Sequence, residues 1–232
     1  MRLFYQPLVP EGVRYLDEEE SRHCVKVLRL KNQDTIYVTD GKGAGYACAI
    51  EKADIRRCTF KIIHSYASPL PDYTIHIVVA PTKNQDRMEW LVEKAVELGV
   101  TKISFIVCDL SERNNVKMER IEKKAIMAMK QSLKYMLPAL IPPINFKEFL
   151  SSSTATEKYI AYVDSELNNH LFRSATPGQD YLILIGPEGD FSTEEIKLAR
   201  ELNYIPVSLG QNRLRTETAA LAACHCFHLI NA

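Results

Sequence analysis

The chain of 232 residues predicts an α/β fold with a mostly parallel sheet, preceded by a small β-rich N-terminal domain. Three observations carry that prediction. After residue 71, short apolar β-branched runs alternate with helical stretches, the pattern of a sheet covered on both faces. Before residue 68, short strand-like segments flank a glycine-rich loop. Between the two lies Ser68-Pro69-Leu70-Pro71, where prolines two apart suit neither helix nor central strand. The expected domains are therefore residues 1–70 and 71–232.

In the first domain, Glu18–Leu28 reads as a helix. Asp34–Thr39 and Tyr46–Glu51 read as strands on either side of Asp40-Gly41-Lys42-Gly43-Ala44-Gly45, a hairpin loop, and Thr59–His64 alternates as a further strand. In the second domain, strands are expected at Thr74–Ala80, Ile103–Cys108, Tyr159–Val163, Leu182–Ile185 and Pro206–Leu209. The helix after the first of these places Met88, Leu91, Val92 and Ala95 on one face and stops at Gly99. A long helix near Met118–Leu137 is expected to end at Pro138. Another starts at Ser192, with Glu195 three residues on completing a capping box, and the last runs from about Thr216 to Ile230.

Composition removes several classes. Apolar residues make up 46% and charged residues 25%, ordinary values for a globular chain. No run reaches the roughly 18–20 apolar residues that span a bilayer. Met1 to Pro10 lacks the basic-then-apolar pattern of a signal peptide, so a cytoplasmic location without membrane attachment is expected. The six cysteines fall on apolar segments with no CxxC pair, which reads as reduced core thiols. Net charge is zero, but a phosphate backbone responds to the local field rather than the sum. From Arg113 to Lys134 there are seven Lys or Arg against two Glu, and Arg22, Lys26, Arg29 and Lys31 form a second basic group. Either run alone is more often a solvated face, so composition permits an RNA partner without demanding one.

In an open α/β sheet ligands bind beyond the carboxyl ends of the strands. Two segments stand out there. Gly186-Pro187-Glu188-Gly189-Asp190-Phe191-Ser192 follows the fourth expected strand and offers rigid, bare main chain to a flat polar ligand. A tight turn without a ligand is the plainer reading of that segment by itself. Gly210-Gln211-Asn212-Arg213-Leu214-Arg215-Thr216-Glu217-Thr218-Ala219 follows the fifth and opens an apolar helix. A helix N-terminus favours anions, so two arginines there oppose the macrodipole and point to an anionic partner. Thr216 or Thr218 as a simple cap is the plainer alternative.

Other motifs lead elsewhere. Gly41 to Gly45 joins two strands with no following helix, so a phosphate-binding loop fails on context. Pro81-Thr82-Lys83-Asn84-Gln85-Asp86 after the first α/β strand has no glycine, which removes the Rossmann way of holding a cofactor. In Cys224-His225-Cys226-Phe227-His228 the metal-binding side chains diverge around one helix, and no metal is expected. His170 reads as solvated and Trp90 as packing.

Leu182-Ile183-Leu184-Ile185-Gly186-Pro187-Glu188-Gly189 and Leu209-Gly210 through Leu214-Arg215-Thr216-Glu217-Thr218-Ala219 resemble the signature motifs of the RsmE family, SPOUT-class enzymes that methylate N3 of a uridine in 16S ribosomal RNA. His23 to Arg29, Glu93-Lys94-Ala95-Val96-Glu97-Leu98-Gly99, Ser111-Glu112-Arg113 and Gln131-Ser132 also match in order, so the resemblance covers nearly the whole chain. It implies a PUA-like RNA-binding β-barrel over 1–70 and a SPOUT trefoil-knot α/β domain over 71–232. It further implies S-adenosyl-L-methionine as cofactor, the small ribosomal subunit as partner, and a homodimer. On this resemblance Ile185, Gly186, Pro187, Glu188, Gly189, Leu209, Gly210, Leu214, Thr218 and Ala219 hold the cofactor.

Chemistry suggests the remaining roles. Attack by uridine N3 loads negative charge onto the uracil oxygens, which Arg215, with Arg213, would stabilise while Glu217 orients Arg215 or takes the proton. Arg22, Lys26, Arg29, Lys83, Arg87 and Arg113 are candidates for phosphate contacts. Two other readings stay open: a non-catalytic RNA-binding or ribosome-assembly protein, and a SPOUT enzyme acting on a different RNA such as tRNA. The chain departs from the family pattern at Asp190, where a second glycine is usual, at Lys130, where Glu is common, and at Asn212, where the first loop arginine usually stands one place before Arg213.

Overall fold

The computed structural model describes residues 2–67, 71–164 and 167–232, so the proline break at 68–70 lies outside the described residues. The chain divides into two compact units, Met1–Leu70 with Ile126–Leu137, and Pro71–Ala125 with Pro138–Ala232.

The first unit is a four-stranded sheet with a short helix. Its elements are β1 (Leu3–Tyr5), α1 (Glu18–Arg22), β2 (Thr35–Thr39), β3 (Ala44–Lys52) and β4 (Thr59–Ala67), with strand order β1-β2-β3-β4. β1 runs parallel to β2, and the other two pairs are antiparallel. The three-residue β1 was not expected, being too short for alternation to register. Leu16 N–H donates to the Cys58 carbonyl and Phe60 N–H to Arg14, so residues 14–16 extend the sheet beside the start of β4. Phe4, Leu16, Ile36, Val38, Ile50 and Phe60 form the core. α1 begins at Asp17, whose carboxylate accepts from Glu20 N–H, and widens into a π-helical turn over His23–Val27. Cys24 in that turn and Cys58 are buried free thiols with sulfurs 3.9 Å apart.

The second unit is built on six parallel strands. In chain order its elements are β5 (Thr74–Val79), α2 (Gln85–Glu97), β6 (Lys102–Val107), α3 (Met118–Gln131), β7 (Ala139–Asn145), α4 (Phe146–Ser152), β8 (Glu157–Ala161), α5 (Leu171–Ser174), β9 (Asp180–Ile185), α6 (Thr193–Glu201), β10 (Ile205–Val207) and α7 (Thr216–Ile230). Strand order is β10-β8-β9-β5-β6-β7, and every pairing is parallel. The last residues of α3 belong to the first unit.

Both faces are covered, as continuous apolar strands require. One face packs Val78, Ile106, Ile160, Leu182 and Leu184 against Phe146, Phe149 and Leu150 of α4 and Ala199 of α6. On the other, Ile75, Ile77 and Ile183 are fully buried, and Phe227 of α7 stacks on Tyr181 of β9 at 4.5 Å. His76 donates or accepts at Ser104 Oγ (2.8 Å), and burial pushes its imidazole down to about 3, so it is neutral within the sheet.

Besides β1, the short helices α4 and α5 were not expected, and α3 and β7 differ from expectation. α3 ends at Gln131 rather than at Pro138, because Leu133 turns left-handed (φ 57°) and Lys134 N–H returns to the Met129 carbonyl. β7 carries Pro142-Pro143 and was not among the expected strands. It lies at the sheet edge, where the missing N–H groups lose nothing, and its register against β6 shifts at that point. α2 ends as expected, with Gly99 at φ 87° and Val100 N–H donating to Ala95.

Candidate functional site

All six strands of the second unit run the same way, so their carboxyl ends gather the segments that follow them at one edge of the sheet. Side chains then tie those segments together. Lys83 N–H after β5 donates to Glu188 Oε1 (3.2 Å). Asp109 after β6 donates its N–H to Glu195 Oε1 (2.9 Å) and accepts from Ser192 Oγ on Oδ2 (2.8 Å). Val163 N–H after β8 donates to Asp190 Oδ2 (3.0 Å). Ser208 after β10 donates its N–H to Asn169 (2.8 Å), and its hydroxyl bonds Gly210. The loop after β9 is the hub of this set.

That loop folds tightly. Asp190 N–H donates to the Pro187 carbonyl (3.0 Å), and Asp190 adopts φ 67°. Phe191 inserts into the core against Phe146. A Cβ at Gly186 would stand 3.2 Å from the Phe191 ring and the Asp190 backbone, so the fit there is tight. Ile185, Gly186 and Pro187 are buried, while Glu188 and Gly189 are exposed. Ser192 caps α6 in a complete capping box with Glu195, as the sequence predicts.

The loop after β10 leads to α7. Leu209 and Leu214 are half-buried and Gly210 is exposed. Arg215 is the N-cap residue of α7 and supplies no side-chain capping bond. Neither threonine caps the helix: Thr216 Oγ1 donates instead to the Gly186 carbonyl (3.0 Å), joining the two loops, and Thr218 is exposed beside half-buried Ala219. The first amides of α7 thus form an uncapped positive end, flanked by the exposed side chains of Arg213 and Arg215. Among the described residues neither arginine is in an ion pair.

Glu217 is buried in the first turn of α7. Its Oε1 lies 3.7 Å from Nε of Arg87 on α2, and its Oε2 is buried without a hydrogen-bond partner. The structure therefore brings Arg87, a candidate phosphate contact, to Glu217 rather than setting it free. Lys83 is exposed and paired with Glu112, and Arg113 is half-buried. In the first unit Arg22, Lys26 and Arg29 are all exposed on and just after α1, with Arg22 bonded to Glu18 (2.8 Å) and Arg29 at φ 56°. Lys130 pairs there with the largely buried Glu20.

The remaining side chains singled out in the sequence lie elsewhere. Trp90 is 43% exposed on α2. His170 is half-exposed and caps α5 by accepting from Phe172 N–H (3.1 Å). Among the described residues no three His, Cys, Asp or Glu side chains gather to hold a metal ion. The side-chain ties of Asp190, Thr216 and Glu195 escaped the sequence reading, although Asp190 and the capping box were both visible as patterns.

The pieces of this edge can together hold an elongated polar ligand: bare main chain at Gly186–Gly189 and Gly210, an uncapped helix start, an orphan carboxylate oxygen and two free guanidinium groups. Comparison with known proteins agrees with that outline. The RNA methyltransferase domain family matches residues 68–228, and the RNA methyltransferase PUA domain family matches residues 16–63. The ribosomal RNA small subunit methyltransferase E of Rickettsia conorii is 30% identical over 204 residues, covering 87% of this chain and 83% of that protein. A probable rRNA-methyltransferase from Porphyromonas gingivalis superposes with a TM-score of 0.94 at 41% identity, covering 100% of this chain and 98% of the other. The ribosomal RNA small subunit methyltransferase E of Neisseria gonorrhoeae, solved bound to S-adenosyl methionine, gives 0.88 at 27% identity, with 100% and 98% covered. The α/β architecture and the N-terminal PUA domain have their counterpart in one group of enzymes, and the chain belongs to that RNA methyltransferase family.

Proposed function

We propose that this protein methylates N3 of a uridine in the 16S RNA of the small ribosomal subunit, with S-adenosylmethionine as methyl donor. The observation that carries the reading is the start of α7, where free Arg213 and Arg215 flank an uncapped helix end joined to the glycine loop by Thr216. When bound, S-adenosylmethionine supplies an electrophilic methyl group. Main chain at Ile185, Gly186, Pro187, Glu188, Gly189, Leu209, Gly210, Leu214, Thr218 and Ala219 would hold it, and the orphan oxygen of Glu217 fits a donor group of such a ligand.

Catalysis then rests on charge. The guanidinium of Arg215, helped by Arg213, stabilises the anion developing on the uracil oxygens. Glu217, held by Arg87, orients Arg215 or takes the N3 proton. Residues 1–70 serve as the RNA-binding domain and 71–232 as the methyltransferase domain. Arg22, Lys26, Arg29, Lys83, Arg87 and Arg113 contact phosphates, with Arg87 doing so only beside its bond to Glu217. The protein works as a homodimer in the cytoplasm. No helix among the described residues is long and apolar enough to cross a membrane.

The test is methyl transfer from labelled cofactor to small subunits lacking the mark, followed by identification of the modified nucleoside. N3-methyluridine is the expected product. A different nucleoside, or labelled tRNA in preference to small subunits, would overturn the substrate assignment. Sedimentation of the purified protein at twice the chain mass is expected in the same preparation.

A further inference from the structure

We infer that Asp190 is a positioning residue for the methyl-donor loop, holding the exits of β8 and β9 at a set spacing. The inference rests on the reading of Gly186–Gly189 as cofactor-binding main chain. β8 and β9 are direct neighbours, paired as far as Ala161 and Ile185. Beyond that point the two chains part and ladder bonds end. Two amides there are taken by one side chain: Asp190 Oδ2 accepts from Val163 N–H (3.0 Å) and Oδ1 from Phe191 N–H (2.9 Å).

The backbone at this residue makes the side chain's role specific. At φ 67° a non-glycine residue is strained, and Asp is among the few that tolerate it. Glycine would adopt the same angle freely but carries no carboxylate. The turn has other anchors: Asp190 N–H on the Pro187 carbonyl, the Phe191 ring in the core, Thr216 Oγ1 on the Gly186 carbonyl, and Lys83 N–H on Glu188 Oε1. These act within the turn or toward α4, α7 and the segment after β5. Among the described residues, the hydrogen bond from this loop to the β8 exit is made by the carboxylate. With it, the main chain at Gly186–Gly189 is arranged before a ligand arrives; without it, the ligand has to order that turn on binding.

The experiment compares Asp190→Gly, Asp190→Asn and the parent protein by calorimetric titration with S-adenosylmethionine and by steady-state methylation of unmodified small subunits. Asp190→Gly relieves the strained φ, so it is expected to unfold near the parent temperature. Its KM for S-adenosylmethionine rises about 5- to 10-fold, the penalty of ordering a loop on binding, while kcat and the KM for the subunit hold. Asp190→Asn falls between the two, because its amide oxygen keeps one of the two bonds. A parent-like cofactor KM in Asp190→Gly would overturn the inference. So would equal rises in both KM values in step with a fall in Tm, the mark of a merely structural residue. Absence of any binding heat for the parent protein would remove the reading of the loop itself, and the inference with it.

Discussion

Arg215 and Glu217 are two residues apart at the start of α7 yet sit in opposite surroundings, one exposed and without an ion pair among the described residues, the other buried. That contrast separates their expected phenotypes. Arg215→Ala removes charge without disturbing packing, so kcat for methylation should fall by about 10²- to 10³-fold while affinity for S-adenosylmethionine stays within error. Single-turnover transfer and calorimetric titration on the same variant check this, and full activity would discard the role. Arg87→Ala acts differently, because it strips the buried carboxylate of its partner at 3.7 Å. The expected loss is about 1–3 kcal/mol of stability, and adding Glu217→Gln should restore most of it by removing the stranded charge. Thermal unfolding of the single and double variants measures both; an unchanged Tm in Arg87→Ala contradicts the pairing.

At the scale of elements, α1 and the end of α3 are joined within the first unit by Lys130 and Glu20. Burial raises the Glu20 carboxyl above its ordinary value, and the Lys130 ammonium pulls it back only in part. A carboxyl raised in the folded state gives stability that is complete below the unfolded value of 4.5 and is lost as pH climbs through the folded value. Glu20→Gln has no such loss. The Tm difference between variant and parent should therefore move in the variant's favour as pH rises above 4.5 through the raised folded-state value. A gap that stays constant over that range means that Glu20 does not titrate as its burial implies.

For the whole molecule, the question is how a chain of zero net charge engages a polyanion. Positive groups are placed locally, on the turn after α1 and at the start of α7, so binding should be strongly salt-dependent in spite of the neutral sum. Each of Lys26→Ala and Arg29→Ala is expected to flatten the slope of log affinity against log salt by about 0.7 to 0.9, weakening binding without changing which nucleoside is modified. Fluorescence titration with ribosomal RNA fragments at several salt concentrations gives the slopes. Variants with the parent slope would take these residues out of the RNA contact.

Much of this protein was legible as linear pattern. The extents of α7 and the cap of α6, five of the six parallel strands, and both glycine loops at the strand exits follow from periodicity and turn chemistry, which act over a few residues. β1 and β7 did not. The first is too short to alternate, and the second carries two prolines that only a sheet edge accommodates. The same limit applies at the candidate site. That Arg215, Glu217 and Gly186 stand at the exits of two strands could be read from their order. That Glu217 meets Arg87, Thr216 meets Gly186, and Asp190 spans two exits could not. Those partners lie from 27 to 130 residues apart, and only the folding of a parallel sheet brings its successive carboxyl ends to one edge. Local sequence determines which groups are available for chemistry; tertiary structure decides which of them are buried, paired or left free, because those states depend on neighbours that the chain supplies from far away.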